Sequence, residues 1–192
     1  MRIKYNAPTV LTFTLICAVI LLLSQTLIPK LSMLWFMVPG KNHFSITNIR
    51  NIITLFTHVC GHADWQHLIS NFTLILLIGP MLEENYGSRQ LLLMIVITAL
   101  ATGILNVLLF TSALMGASGV VFMMILLSSF TNFSKGEIPL TFILVLILYM
   151  GVQLLESFKS ENSNISHFAH IIGGLCGSFF GFFRPPKRGK SI

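Results

Sequence analysis

The sequence predicts an all-α, polytopic membrane protein of six transmembrane helices, and three observations lead there. Of 192 residues, 54% are hydrophobic and 9% charged, against roughly 25% charge in a soluble domain. Asp, Glu, Lys and Arg are absent from residues 9–29, 68–82, 90–134, 138–155 and 162–183, and about 20 apolar helical residues cross the ~30 Å of bilayer hydrocarbon. The 90–134 block is too long for one span, and the turn-forming stretch from Thr111 to Gly119 divides it in two.

The first span covers 8–29. Met1-Arg2-Ile3-Lys4 could open a signal peptide, but the apolar run is too long and no small-residue cleavage pattern follows it. Residues 30–65 form a first outer loop. With Leu34, Trp35, Phe36, Met37, Phe44 and Phe56 it is too apolar for a free connection and is expected in the outer interface, Trp35 and Trp65 lying at headgroup level. Spans two to six are expected at 66–86, 88–110, 117–132, 138–157 and 168–184. The tail, 185–192, is prolyl and basic and suits anionic lipid. No second domain fits, so 1–192 reads as a single membrane domain.

With the N-terminus inside, the cytoplasmic segments hold Arg2, Lys4, Arg89, Lys135, Arg184, Lys187, Arg188 and Lys190. The outer segments hold Lys30, Lys41, Arg50 and Lys159. That asymmetry predicts cytoplasmic N- and C-termini. The net charge of +6 does not signal nucleic acid, because no soluble stretch is large enough to bind it. Cys17, Cys60 and Cys176 share no paired spacing, which argues against a disulfide framework or a cysteine metal site.

In this topology spans two, four and six all run from outside to inside. Each opens with unusual polar or small residues: His67 and Asn71; Gly116-Ala117-Ser118-Gly119; His167 and His170. Ionisable groups at membrane depth are costly and face a bundle interior or a wet cavity. A helix from Ser118 to about Asn132 would be roughly 21 Å long, about 9 Å short of the hydrocarbon. Ser118 is therefore expected below the outer surface, inside a water-filled cavity.

That convergence suits hydrolysis by an activated serine. Ser118 is the candidate nucleophile and His170 the candidate general base. His67 and Asn71, one helical turn apart, could point donors at one oxyanion, together with the free Ser118 amide at its helix N-terminus. Gly116, Gly119, Gly173 and Gly177 read as packing glycines; the spacing of Gly173, Gly177 and Gly181 leaves a groove for a neighbouring helix. No carboxylate is placed to orient His170, so a dyad is expected. A serine or histidine in a transmembrane helix is ordinarily a packing or hydrogen-bonding residue, and that reading stays open on the residues alone. His58 and His62 have the i, i+4 spacing of a zinc pair, but the glutamate of H-E-x-x-H is missing. Backbone-bonding histidines are expected, with no metal and no cofactor. Glu83 is expected to bond backbone or Arg89.

Taken in order, these residues carry a resemblance. His67-xxx-Asn71, Gly79-xxx-Glu83-xxx-Gly87-Ser88, Gly116-Ala117-Ser118-Gly119 and Ala169-His170-Ile171-Ile172-Gly173-xxx-Gly177 are similar to the rhomboid intramembrane serine proteases of the bacterial GlpG type. The resemblance covers nearly all of the chain. It implies a six-helix rhomboid bundle, a Ser118/His170 dyad, an oxyanion site of Asn71, His67 and the Ser118 amide, and a bacterial inner-membrane location. It also implies transmembrane substrate proteins, cut near the outer membrane face after a small residue in a segment that unwinds easily. A non-catalytic rhomboid-like protein that binds membrane proteins is the alternative. Two positions depart from the family: Ile53-Thr54 replaces a frequent Trp-Arg pair, and Phe122 stands where many members carry tyrosine.

Overall fold

A computed structural model describes residues 4–131, 138, 140–150, 164–184 and 186. The helices, in chain order, are α1 (Pro8–Thr26), α2 (Leu31–Trp35), α3 (Ile49–Thr57), α4 (Trp65–Tyr86), α5 (Ser88–Leu109), α6 (Ser118–Ser128), α7 (Leu140–Val145) and α8 (Asn164–Phe183). One tight turn, His58–Cys60, follows α3, and one wide helical turn, Leu146–Met150, follows α7. Among the described residues the one β-like contact is the isolated Val38/Leu114 pair.

Three helices, α1, α4 and α5, are long and apolar enough to cross a membrane, and α6 and the 167–183 part of α8 are shorter apolar helices. They match spans one, two, three, four and six of the sequence reading. The fifth span is described as far as Met150, and its remainder to 157 lies outside the described residues, as does most of the 185–192 tail.

The helices on the outside of the bundle keep apolar faces exposed, such as Leu15, Ile16, Val19 and Leu22 on α1 and Leu92, Leu93, Val96 and Ile97 on α5. In a bilayer such faces meet lipid at no cost. By contrast α6 is buried along its whole circumference from Gly119 to Leu127. A helix apolar on every side is a core helix, and α6 is the axis around which α4, α5 and α8 pack.

The sequence places the end of span four near Asn132, whereas α6 stops at Ser128. Ser128 Oγ donates to the Ile125 carbonyl at 2.7 Å, and the Ser129, Phe130 and Thr131 amides close three-residue turns at 3.2, 3.0 and 3.2 Å. Hydroxyls that bond local carbonyls, Ser128 to Ile125 and Thr131 to Ser128 at 2.9 Å, compete with helix continuation. At 11 residues α6 is roughly 16 Å long, shorter still than expected. Span six begins earlier than expected, at Asn164 rather than 168.

The connection from 27 to 64 is stapled to the bundle. Val38 and Leu114 exchange backbone hydrogen bonds at 2.9 Å, and the Lys41 amide donates to the Phe110 carbonyl at 2.7 Å. Asn48 caps α3, its side chain accepting from the Arg50 amide at 3.1 Å. The Thr57 hydroxyl donates to the Trp35 carbonyl, and the Arg50 guanidinium lies 5.3 Å over the Trp35 ring. These bonds anchor the connection where Ile53-Thr54 offers no Trp-Arg pair.

At the opposite end, α1 starts with Pro8, and its N-cap residue Ala7 has no side-chain acceptor. The unpaired amides of a first helical turn need one. The carboxylate of Glu83 on α4, buried, accepts from the Thr9 and Val10 amides at 2.8 and 3.0 Å. Glu83 thus bonds backbone, as expected, and serves as the N-terminal cap of a different helix, where negative charge also complements the helix dipole. Glu83→Ala should therefore lower unfolding stability in mild detergent by about 2 kcal/mol. Glu83→Gln, which keeps one acceptor oxygen, should lower it by less.

Candidate active site

The candidate site gathers at the starts of α4, α6 and α8. Ser118 is the first residue of α6 and is half-buried. Its N-cap, Ala117, offers no side-chain acceptor, so the first amides of α6 remain available to an anion arriving from outside the helix.

The approach to Ser118 is set by Gly116. Its φ of +126° is a conformation that side chains rarely adopt. A Cβ there would also fall 2.7 Å from the His67 ring and 3.9 Å from Asn71 Nδ2. The Gly116 amide donates to the His58 carbonyl at 3.0 Å, which accepts from the Gly61 amide as well, at 3.1 Å. The backbone immediately before Ser118 therefore rests on the 27–64 connection and faces His67 and Asn71.

Those two residues are positioned by α4. Asp64 caps the helix, its carboxylate accepting from the His67 amide at 2.7 Å. Asn71, one turn further, is buried, and its Nδ2 lies 3.2 Å from His62 Nε2. The His62 and His67 rings meet edge to face with centroids 5.0 Å apart.

On the other side α8 lies directly on α6. A Cβ on Gly173 would come within 2.0 Å of the Gly119 carbonyl oxygen, and one on Gly177 within 2.2 Å of the Met123 carbonyl oxygen. Only glycine admits backbone this close. Gly119 itself abuts the Ala169 carbonyl and the Thr102 methyl, and Gly181 faces the Phe130 ring. Between Ala169 and Gly173 comes His170, half-buried, its ring stacked face to face on Phe122 at 4.2 Å and 10°. Phe122 is one turn along α6 from Ser118. His167 lies edge-on to His170 at 6.3 Å.

The structure thus brings His67 and Asn71 against Gly116, just before Ser118, and packs the Ala169–Gly173 segment against Gly119, just after it. Of the carboxylates, Asp64 caps α4, Glu83 caps α1 and Glu84 is exposed, while Glu137, Glu156 and Glu161 lie outside the described residues.

Of the two histidines of the connection, His58 bonds backbone, as expected, and both also meet side chains that their spacing does not disclose. His58 is buried, with Nδ1 3.2 Å from the Thr54 carbonyl and Nε2 3.2 Å from the Thr102 hydroxyl. A carbonyl only accepts, so Nδ1 carries the proton, and Nε2 lies beside a hydroxyl that also donates to the Thr98 carbonyl at 2.9 Å. His62 meets Asn71. Neither pairs with the other, and no group of three or more metal-ligating side chains occurs among the described residues. Burial pushes both imidazoles down to about 4, the nearby His67 adding to the effect on His62.

Both histidines are therefore neutral at pH 7, and their charging opposes the fold. A folded-state value below the unfolded value of about 6.5 leaves stability complete above pH 6.5 and erodes it as pH falls towards 4. For His58 alone the loss reaches about 3 kcal/mol. Thermal unfolding should accordingly be flat from pH 7 to 8 and decline from about 6.5 downward, with a shallower decline in His58→Gln.

The Rhomboid domain family profile matches residues 50–187, which takes in every candidate site residue. The chain is similar to Rhomboid protease GlpG of Haemophilus influenzae, 26% identical over 140 residues that cover 71% of each chain. It is also similar to two Arabidopsis thaliana proteins. Rhomboid-like protein 11, chloroplastic, is 25% identical over 130 residues, 60% of this chain and 46% of that one. RHOMBOID-like protein 5 is 29% identical over 127 residues, 63% and 40%. The matched region spans less than half the length of either plant relative.

Proposed function

Because the chain belongs to the rhomboid family, a family of multi-pass membrane proteins, we propose that it is an intramembrane serine endopeptidase working through Ser118 and His170. The observation that carries this reading is the seating of α8 on α6: the Ala169–Gly173 backbone lies against Gly119 and His170 stacks on Phe122, one turn from Ser118.

In this mechanism Ser118 Oγ attacks the scissile carbonyl while the neutral His170 imidazole takes its proton. The oxyanion that forms is held by the Ser118 amide, the Asn71 side-chain amide and His67. His170 then returns the proton to the departing amine, and a water activated by the same imidazole releases the acyl group. Phe122 holds the imidazole plane by stacking, without a hydroxyl. No cofactor or metal takes part.

The substrates are transmembrane proteins that unwind near the outer membrane face and present a small residue to Ser118. The short α6 supports a site below that face, because roughly 16 Å of helix leaves the serine well inside the hydrocarbon. The chain works as one membrane domain, 1–192, in a bacterial inner membrane with both termini cytoplasmic.

Purified protein should cleave a helix-destabilised transmembrane substrate and be labelled by a fluorophosphonate. Ser118→Ala should abolish labelling and lower kcat on the order of 10³-fold or more, and His170→Asn similarly. An unlabelled wild-type protein that still captures the substrate would overturn the reading in favour of a non-catalytic binder.

A further inference from the structure

We infer that His62 is a positioning residue for the candidate oxyanion site, orienting the Asn71 side-chain amide so that its N–H donors face the Gly116–Ser118 turn. The inference rests on the protease reading above and adds a residue to it.

His62 and Asn71 are both buried, and Asn71 Nδ2 lies 3.2 Å from His62 Nε2. An amide nitrogen only donates, so Nε2 accepts and the imidazole proton is on Nδ1. Nδ1 is buried and makes no regular hydrogen bond, and the Cys60 backbone acts on the ring. The carboxamide has two N–H groups. One is taken by His62, and the nitrogen that carries both lies 3.9 Å from where a Cβ on Gly116, two residues before Ser118, would be. As long as the ring proton stays on Nδ1, the amide cannot rotate to put Oδ1 in that place without setting two lone pairs against each other. An oxyanion needs donors there, and a carbonyl oxygen would repel it.

The other neighbours leave this contact as the polar interaction that decides the Asn71 orientation. The His62 ring packs on His67 at 5.0 Å and Phe72 at 5.7 Å, and Asp64 acts on it from the start of α4. Its remaining side opens onto a cavity of about 410 Å³ lined among others by Ser24, Gln25, Lys30, Ser32 and Met115. Charged groups in reach of His62 are therefore Asp64, Lys30 and, when protonated, His67.

The test is a double-mutant cycle on the full chain in detergent with a helix-destabilised transmembrane substrate. His62→Leu should lower kcat about 10- to 100-fold with KM within twofold, whereas Asn71→Ala and the double variant should be equally slow. His62→Gln, whose carbonyl oxygen accepts in place of Nε2, should recover most of kcat. The imidazole ¹⁵N spectrum of the wild-type protein should show His62 protonated at Nδ1 and bare at Nε2, a readout independent of turnover. Equal kcat in His62→Leu and wild type, additive losses in the double variant, or a protonated Nε2 at pH 7 would each overturn the positioning role. Wild-type protein that shows no Ser118-dependent cleavage would strike the protease reading itself, and the positioning role with it.

Discussion

The backbone-to-backbone contact of α8 on α6 is the constraint on which the rest of the structure depends. Helices in lipid gain nothing from hiding apolar surface from one another, since the acyl chains outside are equally apolar. Association must come from close packing and from polar groups. With Gly173 and Gly177 resting on the Gly119 and Met123 carbonyls, the two helices approach to the limit that backbone atoms allow. This brings His170 onto the α6 surface and leaves α6 enclosed on every side, a polar serine at its tip and no room for lipid beside it.

Around this pair the polar groups are arranged in tiers. The connection between α1 and α4 is locked by paired backbone bonds at Val38 and Leu114 and by the His58 carbonyl under Gly116. Inside it, neutral His58 and His62 bond outward to α5 and α4, through Thr102 and Asn71. At the far end Glu83 stitches α1 to α4 through the first turn of α1. Each tie satisfies groups that would otherwise be stranded in a low-dielectric environment. A mechanical frame and the candidate site are thus built from the same few polar residues.

Much of this was readable from residue order. The charge-free blocks located spans one to four and six to within a few residues, and the polar openings of spans two, four and six pointed to Ser118, His170, His67 and Asn71 as candidates. The glycine spacing on span six anticipated its groove. The helix ends were less legible: the Ser128 and Thr131 hydroxyls divert hydrogen bonds locally, while the apolar character of the sequence continues past them. The tie from His62 to Asn71 was not legible at all. The two residues are joined by a turn and a helix start, so no periodic spacing relates them, and the backbone path alone decides that their side chains meet. Gly116 reads in the sequence as a packing residue, and nothing in its neighbours announces a positive φ.

The glycines at the α6–α8 contact also govern how such a sequence can drift. Where a glycine faces a flexible side chain, a larger residue is accommodated by trimming the neighbour, and two changes together restore the fit. Gly173 and Gly177 face carbonyl oxygens, which every amino acid carries, so no second substitution makes room for the first. The lipid-facing leucines and isoleucines of α1 and α5 are under no such restriction, since one branched side chain serves the acyl chains as well as another. Over generations the outer wall of the molecule is free to change while the seam within it holds its spelling.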